Sequence, residues 1–334
     1  MGERVYMVER NGRYYYSFGG EEYAIGIGPG DLPAGPLTKG LKAVFMRAYK
    51  LYSEASIVNR ICTMSPSASD SEDYSWMGAV PKIREYLGER QVKDLANFNY
   101  NIRNKTWENT LGVRRSDVED GKLGMVKLRI EQMAQEAARH KEEAVMTYLT
   151  NALGSETAAY YCHDGGPFFY GSHPSPSDGS GVQDNKEASA LAIATLWVAI
   201  TRMRSFKDDT GRVLGMAPDL LLVEPCLEQT ALELLAVITA SAQSAALAKL
   251  SIDVEVSSYL YSTGTVANGN WFLCDTKGLV KPVILQDRCA VEFGSLEKDS
   301  EQGFMRDEYI YGTRARWNVG SGFWPAIVGN AGAG

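Results

Sequence analysis

Three histidines stand among 334 residues, at His140, His163 and His173. Two of them flank an aromatic, glycine-rich stretch, YYCHDGGPFFYGSHP, in which Cys162 and Asp164 adjoin His163. Cys162, His163 and His173 could in principle offer a zinc ion sulfur and nitrogen donors. Their spacing fits no usual zinc site, and there is no second cysteine pair to complete one. The region therefore reads as turns held by hydrogen bonds and packing. His140 falls inside a helical pattern and reads as a helix-surface residue. Acidic groups at Asp117, Glu119 and Asp120, and at Asp208 and Asp209, would be the raw material of a two-carboxylate hydrolase. The first group reads better as acidic residues at a helix start, the second as a solvated turn. GIGPGD lacks the strand and helix that make a glycine loop into a phosphate cradle. No P-loop, no HExxH and no GxSxG occurs, and GSGFW near the C-terminus is a glycine turn. The expectation is no catalytic residue, no cofactor and no metal.

The basic residues carry more information. Arg84, Arg90, Lys93, Arg103, Lys105, Arg114 and Arg115 cluster in one segment, interleaved with Tyr86, Phe98, Tyr100 and Trp107. Such a mixture can track a nucleic-acid strand. It can also lie on acidic surfaces of neighbouring copies, where guanidinium forks meet carboxylates. The net charge of -7 and the nearby Glu85, Glu89, Asp94 and Glu108 favour the second, because mixed signs make a self-complementary contact. At 45% hydrophobic and 22% charged residues the chain is a folded protein. Its five cysteines, Cys62, Cys162, Cys226, Cys274 and Cys289, form no CxxC pair and read as reduced structural residues of a cytosolic setting. LLAVITASAQSAALAKL is the nearest approach to a membrane span and reads instead as a buried helix.

The elements that would position these residues follow from periodicity. Residues 1–36 read as an appendage, with two strands around Asn11-Gly12, a dipeptide suited to a tight hairpin turn, and then a glycine- and proline-marked linker. LTKGLKAVFMRAYKLYSEA places Leu41, Val44, Phe45, Ala48 and Leu51 on one helical stripe. From Trp76 to Arg114 the pattern is an extended arm with short strands. Tyr100 and Ile102 can share a face with Phe98, and such a flap needs cover from outside its own chain. A single helix from Lys122 to Leu153 has an apolar row at Val126, Ile130, Met133, Ala137, Ala144 and Tyr148, and spans on the order of 45 Å. Asn185 is expected to cap the next helix. LLLVEP reads as a buried strand before a further helix, and the last stretch is mainly strands, with DEYIYGTRARWNVG expected as two strands around a glycine. The sum is an α+β chain, not a doubly wound sheet.

Specific phrases add a resemblance. KGLKAVFMRAY, YSWMGAVPKIREYLGERQVKDLANFNYNIRNKTWENTLGVRRSDVEDGKLG, MAQEAARHKEEAV and DGGPFFYGSHP resemble the major head subunit of Mu-like bacteriophages, a branch of the HK97-like capsid fold. The matching phrases fall at Trp76 to Gly78, Arg84 to Tyr86, Gly88 to Arg90, Asn104 to Glu108, Arg115 to Gly124 and Asp164 to Pro174. The resemblance covers about residues 37–330 and implies an HK97-like organisation. Residues 1–36 would be an N-terminal hairpin and arm without a family counterpart, and 37–75 a helix and lead-in. Residues 76–115 would be the E-loop, and 116–154 the spine helix of the peripheral domain. Residues 155–265 would form mainly the axial domain, and 266–334 would return to peripheral strands. The E-loop of that family lies over an adjacent subunit, which makes Trp76, Arg84, Tyr86, Arg90, Arg103, Trp107 and Arg114 the expected inter-subunit contacts. Many copies of the chain, as pentamers and hexamers, would close an icosahedral shell around double-stranded DNA held by non-specific contact. A separate scaffold protein, a portal and head-completion proteins would be partners, with no membrane. The subunit would reside in the virion and, during assembly, in the host cytoplasm. A nanocompartment shell of the same fold is the main alternative; a nucleic-acid-binding module or a hydrolase stands further off.

Overall fold

A computed structural model describes residues 6–10, 13–18, 21–25, 34–74, 100–120, 122–174, 182–208, 211–240, 252–260, 269–296 and 305–330. Strands β1 (Tyr6–Arg10) and β2 (Arg13–Phe18) pair antiparallel with Arg10 opposite Arg13, leaving two residues to connect them. The stretch expected as a linker opens with a third strand, β3 (Glu21–Ile25), paired to β2. Then come α1 (Ala34–Glu54), α2 (Val58–Ile61), β4 (Cys62–Pro66) and β5 (Ser71–Asp73). After the arm come β6 (Asn101–Arg103), β7 (Lys105–Arg114), the short α3 (Arg115–Glu119) and the 32-residue α4 (Leu123–Gly154). The C-terminal half holds β8 (Lys186–Glu187), α5 (Ile193–Ser205), β9 (Leu220–Val223), α6 (Glu228–Ala240), β10 (Asp253–Val256), β11 (Trp271–Cys274), β12 (Val283–Leu296), β13 (Glu308–Ser321) and β14 (Ile327–Asn330).

Two compact units share the chain: residues 1–56, 106–140 and 289–316 in one, and 57–105, 141–288 and 317–334 in the other. In the first, Phe45 of α1 is fully buried, its ring 5.1 Å from Phe293, which stacks on Tyr311 at 6.1 Å. Val126, Ile130, Met133 and Ala134 of α4 are buried as well. The apolar row of α4 runs through Ala138, Val145, Met146 and Leu149, one residue past the expected Ala137 and Ala144, which are only half-buried. A straight helix drifts relative to a fixed row, so a stripe this long must step sideways. At the end of α1, Leu51 is 67% exposed, contrary to the one-stripe expectation.

The second unit is built on a five-stranded sheet of order β10-β9-β11-β14-β8. β9 runs parallel to β10 and antiparallel to β11; β14 is antiparallel to β11 and parallel to β8. Leu220 to Val223 and Trp271 to Cys274 are fully buried, as strands covered on both faces must be. Leu196, Ala199, Ile200 and Met203 of α5 are buried in the same unit. A second sheet has four strands in the order β4-β12-β13-β7.

Two expectations at strands and caps are corrected. DEYIYGTRARWNVG is one strand, β13, not two. Its inward residues Tyr309, Tyr311, Thr313, Ala315, Trp317 and Val319 keep period two straight through Gly312. Strands pair on both sides of β13 and hold it through the glycine. Asn185 does not cap α5, which starts eight residues later, where the Thr195 hydroxyl accepts the Ala192 N–H at 2.9 Å. Asn185 is wholly buried and bonded elsewhere.

Candidate assembly interface

A short antiparallel ladder joins the two stretches that flank residues 75–99. β5 and β6 pair with Ser71 opposite Arg103 and Asp73 opposite Asn101. The Tyr74 N–H donates to the Tyr100 carbonyl at 2.7 Å, and the Asn104 N–H to the Asp70 carbonyl at 2.9 Å. Tyr74 and Tyr100 are thus bonded backbone to backbone at one end of this ladder. The turn before β5 is wrapped on one carboxylate: the Glu72 Oε1 accepts the Ala68 N–H at 2.7 Å, the Ser69 N–H at 3.0 Å and the Ser67 hydroxyl at 3.0 Å. These backbone N–H donors, helped by the Ser67 hydroxyl, lower the Glu72 carboxyl below its ordinary range.

Beneath the ladder lies a buried polar chain. Gln286 of β12 is fully buried. Its side-chain oxygen accepts the Tyr74 hydroxyl at 2.8 Å. Its amide donates to the Ile102 carbonyl at 3.1 Å and the Asn104 Oδ1 at 2.9 Å. Asn104 in turn donates to the Ser67 hydroxyl at 2.9 Å and the Ser69 carbonyl at 3.0 Å. At the re-entry side, the Tyr100 hydroxyl accepts the Ser321 N–H at 2.6 Å. The Ser321 hydroxyl donates to the Tyr161 carbonyl at 2.9 Å, which leaves Tyr148 to donate to Ser321 at 2.6 Å. Burial raises the Tyr100 phenol to about 12 and Tyr148 well above its usual range, so both stay neutral. Ile102 packs with Tyr74 and Ile284, with Tyr100 beside them, and Gly320 admits the Ile102 and Tyr100 side chains where a Cβ would collide. The apolar face of this part of the arm is thus covered by its own chain, not from outside as expected.

Of the seven residues expected to reach a neighbour, Trp76, Arg84, Tyr86 and Arg90 lie outside the described residues. Arg103 sits on β6 with its side chain 80% exposed, 3.4 Å from the exposed Asp70 carboxylate. Trp107, on β7, is half-buried and meets the His140 ring of α4 edge-on at 4.5 Å. Arg114 is exposed at the end of β7. Apart from Val113, β7 is not buried on either face. Gln286 and Ser321 were missed in the sequence; the available signal was a single amide in the apolar run PVILQDR, since a buried polar side chain must find partners.

The residues singled out for chemistry form a second buried cluster. Cys162 donates to the Asp164 Oδ1 at 2.8 Å, and the other Asp164 oxygen lies 2.7 Å from the His173 Nδ1. The His173 Nε2 stands 3.1 Å from the Asn185 Oδ1. That oxygen also accepts the Tyr170 N–H, and the Asn185 amide nitrogen donates to the Phe168 carbonyl, so the amide orientation is fixed. Both ring nitrogens of His173 face acceptors, an arrangement the doubly protonated ring satisfies. The ring stacks on Trp324 at 3.9 Å. Cys162, Asp164 and His173 hold donor atoms within 4.8 Å of one another. At bond lengths of about 2.0–2.3 Å, however, tetrahedral ligands stand roughly 3.3–3.7 Å apart, and these groups are at hydrogen-bond separation. His163, expected beside them, stacks on Phe323 instead, 6.4 Å away. Nor is the cysteine a nucleophile: burial and then the Asp164 carboxylate push its thiol far above the ordinary range. A thiol-exchange reagent at pH 8 is expected to leave buried Cys62, Cys162 and Cys274 unmodified in the folded chain and to titrate all three after denaturation. Rapid native labelling of Cys162 would contradict this geometry.

The α+β architecture with one long helix is that of the HK97-like capsid fold, with structural work in place of catalysis. The family model "Mu-like prophage major head subunit gpT" matches residues 35–190, 185–260 and 251–333, and the chain belongs to that family. It is 26% identical over 291 residues to the Mu-like prophage FluMu major head subunit of Haemophilus influenzae, covering 86% of this chain and 71% of that protein. To the major capsid protein of Escherichia phage Mu it is 24% identical over 271 residues, covering 81% of this chain and 65% of that one, so it spans just under two thirds of the Mu protein's length. The subunit in the procapsid of bacteriophage JBD30 superposes with a TM-score of 0.52 at 26% identity, over 90% of this chain and 76% of that one. The chain is a structural capsid protein and not an enzyme.

Proposed function

We propose that this subunit assembles through pentamers and hexamers into an icosahedral phage head that encloses double-stranded DNA. The observation that carries the reading is the family match from residue 35 to 333. The exposed β7 supports it, because it offers polar and aromatic surface beyond what the chain's own core uses. In this reading residues 76–115 are the E-loop, with Trp76, Arg84, Tyr86, Arg90, Arg103, Trp107 and Arg114 laid on an adjacent copy. Residues 116–154 are the spine helix, 155–265 mainly the axial domain, and 266–334 the peripheral strands, while 1–36 form an extra arm. Heterologous contacts that complete a circle give rings of five and six. A separate scaffold, a portal and head-completion proteins would direct closure, and DNA would meet the inner surface through salt-sensitive phosphate contacts. The head-subunit family favours DNA over the enzyme cargo of a nanocompartment.

Electron microscopy of the purified chain with light scattering tests this directly. Closed shells, tubes or rings of five or six are expected; a strict monomer across salt, concentration and added scaffold would overturn the reading. The arm contacts have their own test. Arg103 and Asp70 form an exposed pair, and such pairs contribute roughly 0–1 kcal/mol. Arg103→Glu together with Arg114→Glu should therefore shift the unfolding free energy of the subunit by at most about 1 kcal/mol. The same charge reversal, repeated at every interface, should raise the concentration needed for assembly by about tenfold or more.

A further inference from the structure

We propose that the outer edge of β7 pairs antiparallel with the same edge of a second copy of this chain, with Glu108 opposite Arg114 and Leu111 opposite Leu111. The proposal rests on the assembly reading above and names one contact within it. β7 is ten residues long and is the last strand of its sheet, in the order β4-β12-β13-β7. Two observations fix which of its residues bond inward. The Arg115 N–H donates to the Asp307 carbonyl, just before β13, at 3.0 Å. The Asn109 carbonyl oxygen lies 3.7 Å from where a Cβ of Gly312 in β13 would stand. In a strand of an antiparallel ladder the N–H and C=O of one residue point to the same edge, and successive residues alternate. Odd-numbered residues of β7 therefore bond toward β13, and Thr106, Glu108, Thr110, Gly112 and Arg114 direct their backbone polar groups outward. Among the described residues no strand pairs with that outer edge.

A long free edge is a template for another strand, and proteins that stay apart blunt it with proline, lysine or a covering segment. Thr106 to Arg114 holds no proline and no lysine. Backbone bonds to an added strand give affinity, and the side-chain pairs give register. Charge selects that register. A strand that meets its own copy about a two-fold axis presents one patch to itself. An axis through Glu108 sets that carboxylate against itself, and an axis through Arg114 does the same with two guanidinium groups. An axis through Leu111 sets Glu108 against Arg114 of the second copy and Arg114 against its Glu108, two opposite-charge pairs in one contact. Thr110 then faces Gly112. Glu108 and Arg114 are both exposed, and Glu108 accepts the Thr110 hydroxyl at 2.8 Å on the face all three share. The half-buried Leu111 meets its equivalent at a non-hydrogen-bonded position, where opposed side chains come closest.

Charge reversal in the full chain tests the register. Glu108→Arg alone and Arg114→Glu alone each put two like-charge pairs into every contact. Each should raise the concentration needed for assembly, read by light scattering, about tenfold or more. The double variant Glu108→Arg/Arg114→Glu restores opposite charges and should return to within about threefold of wild type. Failure of that rescue overturns the pairing. A second variant reads the axis itself. Leu111→Cys should give a disulfide-linked dimer on mild oxidation, whereas the wild type and Asn109→Cys, which faces Val113 in this register, should not. No dimer from Leu111→Cys, or an equal yield from Asn109→Cys, overturns the pairing as well. Shells from the wild type with neither rescue nor dimer would keep the assembly reading and sink this contact. A wild type that forms no shell, while Leu111→Cys still dimerises, would sink the assembly reading and keep the contact.

Discussion

Replacing Asp164 with alanine is expected to cost the subunit about 3–5 kcal/mol, because it leaves the buried His173 ring and its neighbours without their shared acceptor. That is a large share of the roughly 5–15 kcal/mol that holds a typical domain together. The His173 side chain is wholly buried and the Asp164 side chain is 9% exposed, so neither can fall back on water. Asp164 also accepts from Cys162 and from the Gly166 N–H, so its loss strands three donors in one step. Urea unfolding of the purified subunit reads the effect; a loss under about 1 kcal/mol would mean that the cluster is ornamental. The same carboxyl gives a pH signature. Burial alone would raise it, but the hydrogen bond and charge of His173, with Cys162 and Gly166, outweigh burial and lower it to about 2. A carboxyl lowered in the folded state binds fewer protons there than in the unfolded chain. Its contribution is therefore complete above the unfolded value near 4 and is lost as the pH falls through 4 toward 2. The shift corresponds to about 2 kcal/mol, so wild type should lose about that much more stability than Asp164→Asn between pH 5 and pH 2. Equal losses in the two proteins would remove the pair as the cause.

Gly322→Ala is expected to destabilise the subunit by about 3 kcal/mol, the upper part of the usual range for overpacking. A Cβ there would lie 2.5 Å from the Lys281 carbonyl oxygen and 2.6 Å from that of Pro282. These neighbours are backbone and cannot rotate aside. The Gly322 N–H donates to the Pro282 carbonyl at 2.9 Å and the Phe323 N–H to the Lys281 carbonyl at 3.1 Å, so any retreat breaks bonds that hold the chain between β13 and β14 against the approach to β12. Gly312 offers the contrast: a Cβ there meets nothing closer than 3.7 Å, and Gly312→Ala should stay within about 1 kcal/mol of wild type. Parallel thermal melts of the two variants measure the difference, and a similar melting temperature for both would refute the close approach.

The buried clusters at His173 and Gln286 serve the same end from different places. Each ties separate stretches of chain together through partnered, buried polar groups. Such groups add little net stability compared with an apolar replacement, but they penalise every alternative arrangement that would leave one of them unbonded. For a subunit that must repeat one shape many times, that penalty is what matters.

Residue types and spacing determined a good deal. The 3.6-residue periodicity marked α1 and α4, the run LLLV marked a strand buried on both faces, and the two-residue turn at Asn11-Gly12 predicted the β1–β2 hairpin. The phrases from Trp76 to Gly124 and from Asp164 to Pro174 identified the family. These are local signals, or nearly so: a helix face, a turn or a motif is written within a few residues of itself. Tertiary structure decided the rest. Asn185 has the chemistry of a helix cap, and only the approach of His173, Phe168 and Tyr170 turned it into a buried bridge. Gly312 looks like a break, and pairing on both sides carried β13 through it. Gln286, Asn104, Tyr74 and Ser321 are scattered over some 250 residues of sequence, and no period or motif relates them. Gln286 meets Tyr74 and Asn104, and Ser321 meets Tyr100, only where the strands bring them together, and a buried polar group must take whichever partners come within hydrogen-bond reach.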